Sequence, residues 1–271
     1  MVFSSFYPSS RKAQAPALAV AAAAAGLLAL FPVRASANEI GVQFVGSPTT
    51  PQPLAPGTSA GAPGVAQTHW NAVTGSSFTN VALNDNTGAS TTALLNGSAN
   101  GTYYGGNVSD TPGDTELTSG ELFNGWTGSP TMTVSNIPYA EYDVYVYAAL
   151  DNNTRIETLE LTPSGGSASY QSFGTSTGGS TWVLSNNPVA GWNGTTPTTQ
   201  PTRPASATYA EFAGITANSF TLAWGAPGNG GLNGIQIVES SAPIPEPAAL
   251  GLMAVAGAGI LLLKRRQPKQ A

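Results

Sequence analysis

Tyr142-Asp143-Val144-Tyr145-Val146-Tyr147-Ala148-Ala149 is the stretch that decides the fold class. In a strand, successive side chains point to opposite faces. Tyr142, Val144, Val146 and Ala148 therefore share one face, and Asp143, Tyr145, Tyr147 and Ala149 share the other. This is the pattern of a core strand in a sandwich. The same alternation puts Phe220, Leu222 and Trp224 on one face, and likewise Ile235 and Ile237. Short runs rich in β-branched and aromatic residues predict further strands over 40–45, 78–83, 131–135, 155–161, 169–173, 181–184 and 208–212, separated by Gly, Asn, Pro and Ser clusters. None of these runs is long enough for an amphipathic helix. Many short strands with frequent turns predict an all-β domain, a β-sandwich or jelly roll, over residues 38–242. Two proline-rich excursions, 48–64 and 186–204, are too long for hairpins and mark functional or mobile loops.

Composition narrows the partners of that domain. Residues 38–242 hold 13 of the 14 acidic residues but only Arg155 and Arg203 as cations, a net charge of −11 with no lysine. No basic patch is available to neutralise phosphates, which argues against nucleic acid and anionic lipid as partners. Cysteine is absent, so neither disulfides nor thiolate chemistry contribute, and stability must come from burial. A stretch of about 205 residues is long enough for one sizeable core.

The flanks read differently. Residues 1–37 carry Arg11 and Lys12, then a continuous apolar run over 17–31, then the small-residue site Ala35-Ser36-Ala37. That order is a secretory signal peptide, with the mature chain starting at Asn38. At the other end, residues 243–271 contain Pro245-Glu246-Pro247, 16 uncharged apolar residues over 248–263, and the basic cluster Lys264-Arg265-Arg266. As a helix the apolar run spans roughly 24 Å, somewhat short of a hydrocarbon core of about 30 Å. The basic cluster stays cytoplasmic, which puts the domain on the outer side. Pro245 and Pro247 keep the strip before the helix extended and accessible to an enzyme.

Pro245-Glu246-Pro247, a short hydrophobic helix and an Arg-containing cluster, in that order and behind an export signal, resemble the PEP-CTERM sorting signal of Gram-negative bacteria. The resemblance covers about a tenth of the chain. It implies recognition by an exosortase, a membrane-embedded cysteine transpeptidase that cuts near the motif. Five residues, 267–271, follow the basic cluster and extend the usual ending. Within the domain, the phrases at 40–46, 138–147 and 233–238 are similar to exported β-sandwich proteins that carry the same tail, some of them resembling galactose-binding jelly rolls. That is an analogy of fold and assigns no activity.

Candidate chemistry inside the domain is sparse. The single histidine, His69, closes off most catalytic constellations, and zinc would need carboxylates to complete its ligands. Gly57-Thr58-Ser59-Ala60-Gly61 and Gly174-Thr175-Ser176-Thr177-Gly178 match the nucleophile-elbow pattern, but neither lies between a hydrophobic strand and a helix. A glycosidase needs two facing carboxylates, and Glu157 with Glu160 or Glu121 with Glu141 are pairs that sequence does not rank. Oxygen-rich turns at Asp110, Asp114 and Glu116, at Asn84-Asp85-Asn86 and at Asp151-Asn152-Asn153 suit calcium as a structural ion, although Asx turns also arise for backbone reasons alone. Trp126, Trp182, Trp192, Tyr103, Tyr104, Tyr139 and Tyr170 are the rings for stacking on sugars if exposed.

The expectation is an exported, non-enzymatic protein of the cell surface or extracellular matrix, anchored by its C-terminal helix until an exosortase processes it. Neither catalytic nor metal-ligating residues are assigned. The alternatives are a carbohydrate-binding module of an extracellular polysaccharide and an exported glycan-active enzyme.

Overall fold

A computed structural model describes residues 38–46, 53–106, 108–125, 130–151, 153–176, 181–192, 204–225 and 230–240. The leader with Ala35 and Ala37, the motif Pro245-Glu246-Pro247, the apolar run 248–263, Lys264, Arg265 and Arg266 lie outside them, as do Trp126 and Asn152. Among the described residues no helix is long and apolar enough to cross a membrane.

Ala37–Ala242 is one compact unit, consistent with a β-sandwich. One sheet has five strands in the order β11 (Tyr209–Ile215), β8 (Tyr142–Tyr147), β14 (Gly234–Glu239), β1 (Glu39–Val45) and β2 (Trp70–Thr74). All its pairings are antiparallel except β1 with β2, which is parallel. The other sheet has six antiparallel strands in the order β10 (Ser169–Gly174), β9 (Ile156–Pro163), β12 (Phe220–Gly225), β7 (Thr131–Ser135), β4 (Ser90–Ser98) and β3 (Ser77–Asn84). A small third sheet joins β13 (Gly231–Leu232), β6 (Gly120–Phe123) and β5 (Gly101–Tyr104).

The alternation of β8 places its apolar side as expected. Tyr142, Val144, Val146 and Ala148 are all buried in one core with Ile40, Val42, Ile235 and Ile237 of their own sheet and Leu159, Leu161, Leu222 and Trp224 of the other. Phe44 meets Phe78, and Tyr142 meets Phe220, across the two sheets at ring separations of 6.1 and 6.3 Å. Each fully buried side chain of this kind contributes about 1.5–3 kcal/mol, which replaces the missing disulfides.

The second face of β8 differs from a half-solvated strand. Tyr147 is buried in a second cluster with Ala60, Ala62, Trp70, Leu117, Trp182 and Tyr209. The described part of the proline-rich 48–64 excursion forms the cover, and polar side chains tie it down. Tyr147 Oη accepts from Ala62 N at 3.1 Å and donates to Gln236 Oε1 at 2.6 Å, while Leu54 N donates to Gln43 Oε1 at 2.9 Å. All seven residues of β1 are consequently buried.

One helix interrupts the β pattern, where the sequence predicts only a turn. In α1 (Pro112–Thr118), Thr111 is the N-cap and its Oγ1 accepts from Asp114 N at 3.2 Å, with Pro112 opening the first turn. The predicted strand at 181–184 is also absent as a strand; its backbone makes a single bridge, Leu184 to Tyr209.

Candidate functional site

In β9 the residues Glu157, Leu159 and Leu161 share one face, and both leucines lie in the core. The pleat thus turns a carboxylate inward at the end of the strand, where Glu157 has no exposure. Glu157 Oε2 accepts from Gly231 N at 3.0 Å, whereas Oε1 has no partner among the described residues. Glu121 lies in β6 beside the core residue Leu122 and faces the other way; it too is fully buried. Neither of its carboxylate oxygens has a partner among the described residues.

Gly230 and Gly231 run past both acids, Gly230 against Glu157 and Gly231 against Glu121. A side chain on Gly230 would collide with the Glu157 carboxylate, and one on Gly231 would come within 2.8 Å of the Glu121 carboxyl carbon. Only glycine leaves room for both. Asn124 locks the segment, its Oδ1 accepting from Gly230 N at 2.6 Å and its N donating to Gly230 O at 3.0 Å. Trp192 lies against Gly225, beside the buried Trp224.

Burial sets the electrostatics. It pushes the Glu121 carboxyl up to about 8; the charge of Asp151 adds to the rise and Arg155 opposes it. Glu157 is pushed well above the carboxylate range, first by burial, with the backbone N–H of Gly231 opposing and the neighbouring Glu121 charge adding. Asp151 and Arg155 form an ion pair at 3.2 Å. A buried carboxylate without donors is costly as a bare ion, so this site calls for a proton or a cation.

The carboxylate pairs considered from sequence are not the ones the fold assembles. Glu157 and Glu160 point to opposite faces of β9. Glu141 lies far from Glu121, at the opposite end of β14, where its carbonyl accepts from Ser240 N. One member of each guessed pair, Glu121 and Glu157, packs instead against the Gly230–Gly231 segment, where the Glu121 charge acts on Glu157.

The oxygen-rich turns have structural tasks. Asp114 Oδ1 accepts from Gly61 N at 2.9 Å and Oδ2 from Thr111 Oγ1 at 2.8 Å, while Asp110 Oδ2 accepts from Trp182 N at 3.2 Å. Asp85 Oδ1 accepts from Thr87 Oγ1 at 2.6 Å and closes an Asx turn on Thr87 N and Ala89 N; these bonds, the hydroxyl's first, hold its carboxyl below the usual range. Among the described residues no group of three or more His, Cys, Asp or Glu is placed to hold a metal ion. His69 is half-buried beside the Gly88 turn, just ahead of β2.

The rings divide. Trp182 and Tyr139 are buried, and Trp192 is half-buried. Tyr103 and Tyr104 are exposed on the edge strand β5, with rings 5.7 Å apart. Tyr170 lines an open cleft of about 790 Å³ between the edge strands β10 and β11, together with Gln171, Val189 and Glu211.

Asn38 and Glu239 lie side by side. Glu239 N donates to Asn38 O at 2.9 Å, and Asn38 Nδ2 donates to Glu239 Oε2 at 2.6 Å. The chain thus enters and leaves the domain at one end of the β1–β14 pair, and Gly231 lies beyond the other end.

No protein-family model matches the chain, and no curated protein matches it in sequence. Among solved structures it is similar to an exo-β-1,3-galactanase from Phanerochaete chrysosporium with galactose, at 13% identity and a TM-score of 0.28, covering 61% of this chain and 29% of the galactanase. It is also similar to the carbohydrate-binding module TmCBM61 in complex with β-1,4-galactotriose, at 9% identity and a TM-score of 0.25, covering 55% of this chain and 84% of the module. Overlaps this small define neither a fold nor an activity.

Proposed function

We propose that this is an exported, non-enzymatic protein of the cell surface or extracellular matrix, released from a signal peptide after Ala37 and sorted by an exosortase acting at Pro245-Glu246-Pro247. The observation that carries this reading is the order of the C-terminal parts: the motif, the apolar run 248–263 and Lys264-Arg265-Arg266, behind an export signal. The C-terminal helix anchors the chain in the membrane until processing. The fold supports the reading, because Ala37–Ala242 is compact without either flank and both junctions leave it at the same end. The ectodomain is a jelly-roll-type sandwich.

Replacing Pro245, Glu246 and Pro247 together by alanine tests the proposal. The variant should accumulate in the membrane fraction with its tail intact, while the parent chain reaches the surface or medium. Identical fractionation of the two would contradict the proposal.

The cleft beside Tyr170 favours a second reading, in which the domain also holds an extracellular polysaccharide. A ring and a carboxylate on one open groove suit stacking and hydroxyl recognition. Tyr170→Ala should abolish retention on a polysaccharide column that retains the parent; flow-through of the parent on every polysaccharide tried would contradict this reading.

A further inference from the structure

We infer that the cleft beside Tyr170 selects a polysaccharide bearing free amino groups, a partly de-N-acetylated hexosamine polymer, over neutral and anionic chains. The inference rests on the polysaccharide reading of that cleft and names its ligand class. A second hollow of about 330 Å³ adjoins the first and shares Gln171, Pro188, Glu211 and Ala213 with it. Together they make one elongated groove with Glu211 at its waist, a shape for a polymer segment rather than for a single sugar. Its walls are the edge strands of two different sheets, β10 and β11, and the segment 184–189 ties them together. Ser185 N donates to Tyr209 O at 2.8 Å and Val189 N donates to Tyr170 O at 3.2 Å, so a ligand finds the ring and the carboxylate already placed.

The polar groups of the groove decide the charge of its occupant. Glu211 is half-buried, and Tyr145 Oη donates to its Oε1 at 3.1 Å, which orients the carboxylate and leaves Oε2 to accept from a ligand. Gln171 Oε1 accepts from Ser185 Oγ at 3.4 Å, which leaves its amide nitrogen to donate to a sugar hydroxyl. Two more carboxylates stand behind the wall at Gly214: its N donates to Asp143 Oδ1 at 2.8 Å, and a Cβ there would lie 3.9 Å from Glu141 Oε1. Glu160 is the cross-strand neighbour of Tyr170. Against these acids, Arg155 is the one Lys or Arg among the described residues, and it precedes the opposite end of β9 from Leu161 and Pro163 of the cleft. Such a groove repels chains bearing carboxylates or sulfates and attracts ammonium groups. A neutral chain gains stacking on Tyr170 but no charge-assisted bond to Glu211.

The test is depletion of the full-length chain, in detergent, onto chitosan, chitin, dextran and alginate beads at about pH 6 and about 0.15 M salt. Chitosan should retain the parent about tenfold better than chitin or dextran, and alginate should not retain it. Glu211→Gln should lower retention on chitosan about five- to tenfold. Asp85→Asn removes the same charge beyond β3, at the opposite edge of the six-stranded sheet from β10, and should leave retention unchanged. Tyr170-dependent retention that is equal on chitosan, chitin and dextran would overturn the amine selectivity and keep the polysaccharide reading. Retention that Asp85→Asn lowers as much as Glu211→Gln, or that trilysine displaces as well as a chitosan oligosaccharide does, would reduce the effect to net charge and overturn the inference. Absence of Tyr170-dependent retention on all the beads would overturn both.

Discussion

The two ends of the β1–β14 pair treat acidic residues in opposite ways. At the end where the chain enters and leaves the domain, carboxylates find donors: Glu239 accepts from Asn38, and Asp143 Oδ1 accepts from Gly214 N at 2.8 Å. At the far end, three oxygens of Glu121 and Glu157 are buried without one. Glu39 is intermediate, with Oε2 accepting from Gln236 Nε2 at 2.9 Å while burial still lifts its carboxyl to about 7. Acidity near the entry end is mostly paired, with Glu39 the exception that burial lifts. Acidity at the far end is unpaired and costs stability once it ionises.

The largest effect is that of pH, and it acts at both ends, through Glu121 and Glu157 at the far one and through Glu39 at the near one. The carboxyls of Glu121, Glu157 and Glu39 sit above their unfolded values, so the folded chain holds protons that the unfolded chain releases. Their stabilising contribution is full below about pH 4.5, the ordinary value, and is lost as pH rises through about 7 for Glu39 and about 8 for Glu121. The protein should therefore lose on the order of a few kcal/mol between pH 5 and 8, read by denaturant titration at each pH. A profile that rises over this window would break the comparison.

Second is a difference of sign between substitutions. Glu121→Gln should stabilise the protein at pH 8 by about 2 kcal/mol, because a buried charge disappears. Asp143→Ala should cost about 1 kcal/mol, because an acceptor for Gly214 N is lost. Chemical denaturation of both variants at pH 8 sharpens or refutes the contrast.

Two smaller effects test the cover on the five-stranded sheet. Tyr147→Phe removes the hydroxyl between Ala62 N and Gln236 and should cost about 1–2 kcal/mol in thermal melts. Thr111→Ala removes the N-cap of α1 and should cost about 1 kcal/mol.

Where alternation was strong, sequence reading worked: β8, β12 and β14 carry apolar residues at every second position and lie where they were expected. It missed β4, in which Asn96-Gly97 has turn composition. Gly97 is there because Phe78 and Met132 pack against it, and a Cβ would come within 2.8 Å of each. It missed α1 despite the signal Thr111-Pro112-Gly113-Asp114, because seven residues are too few to show a helical period. Half of the far-end site was legible: Glu157 occupies a core position in the register of Leu159 and Leu161, and a charge there breaks a local rule. Glu121 was not, because its place against Gly231, next to the glycine that packs on Glu157, is set by tertiary topology rather than by local pattern.

The measurement closest to the central claim is the intact mass, with C-terminal peptide mapping, of the mature protein from its native host. The account predicts a chain that begins at Asn38 and ends within Pro245-Glu246-Pro247, lacking residues 248–271. A mature chain that still carries Lys264-Arg265-Arg266 would contradict it.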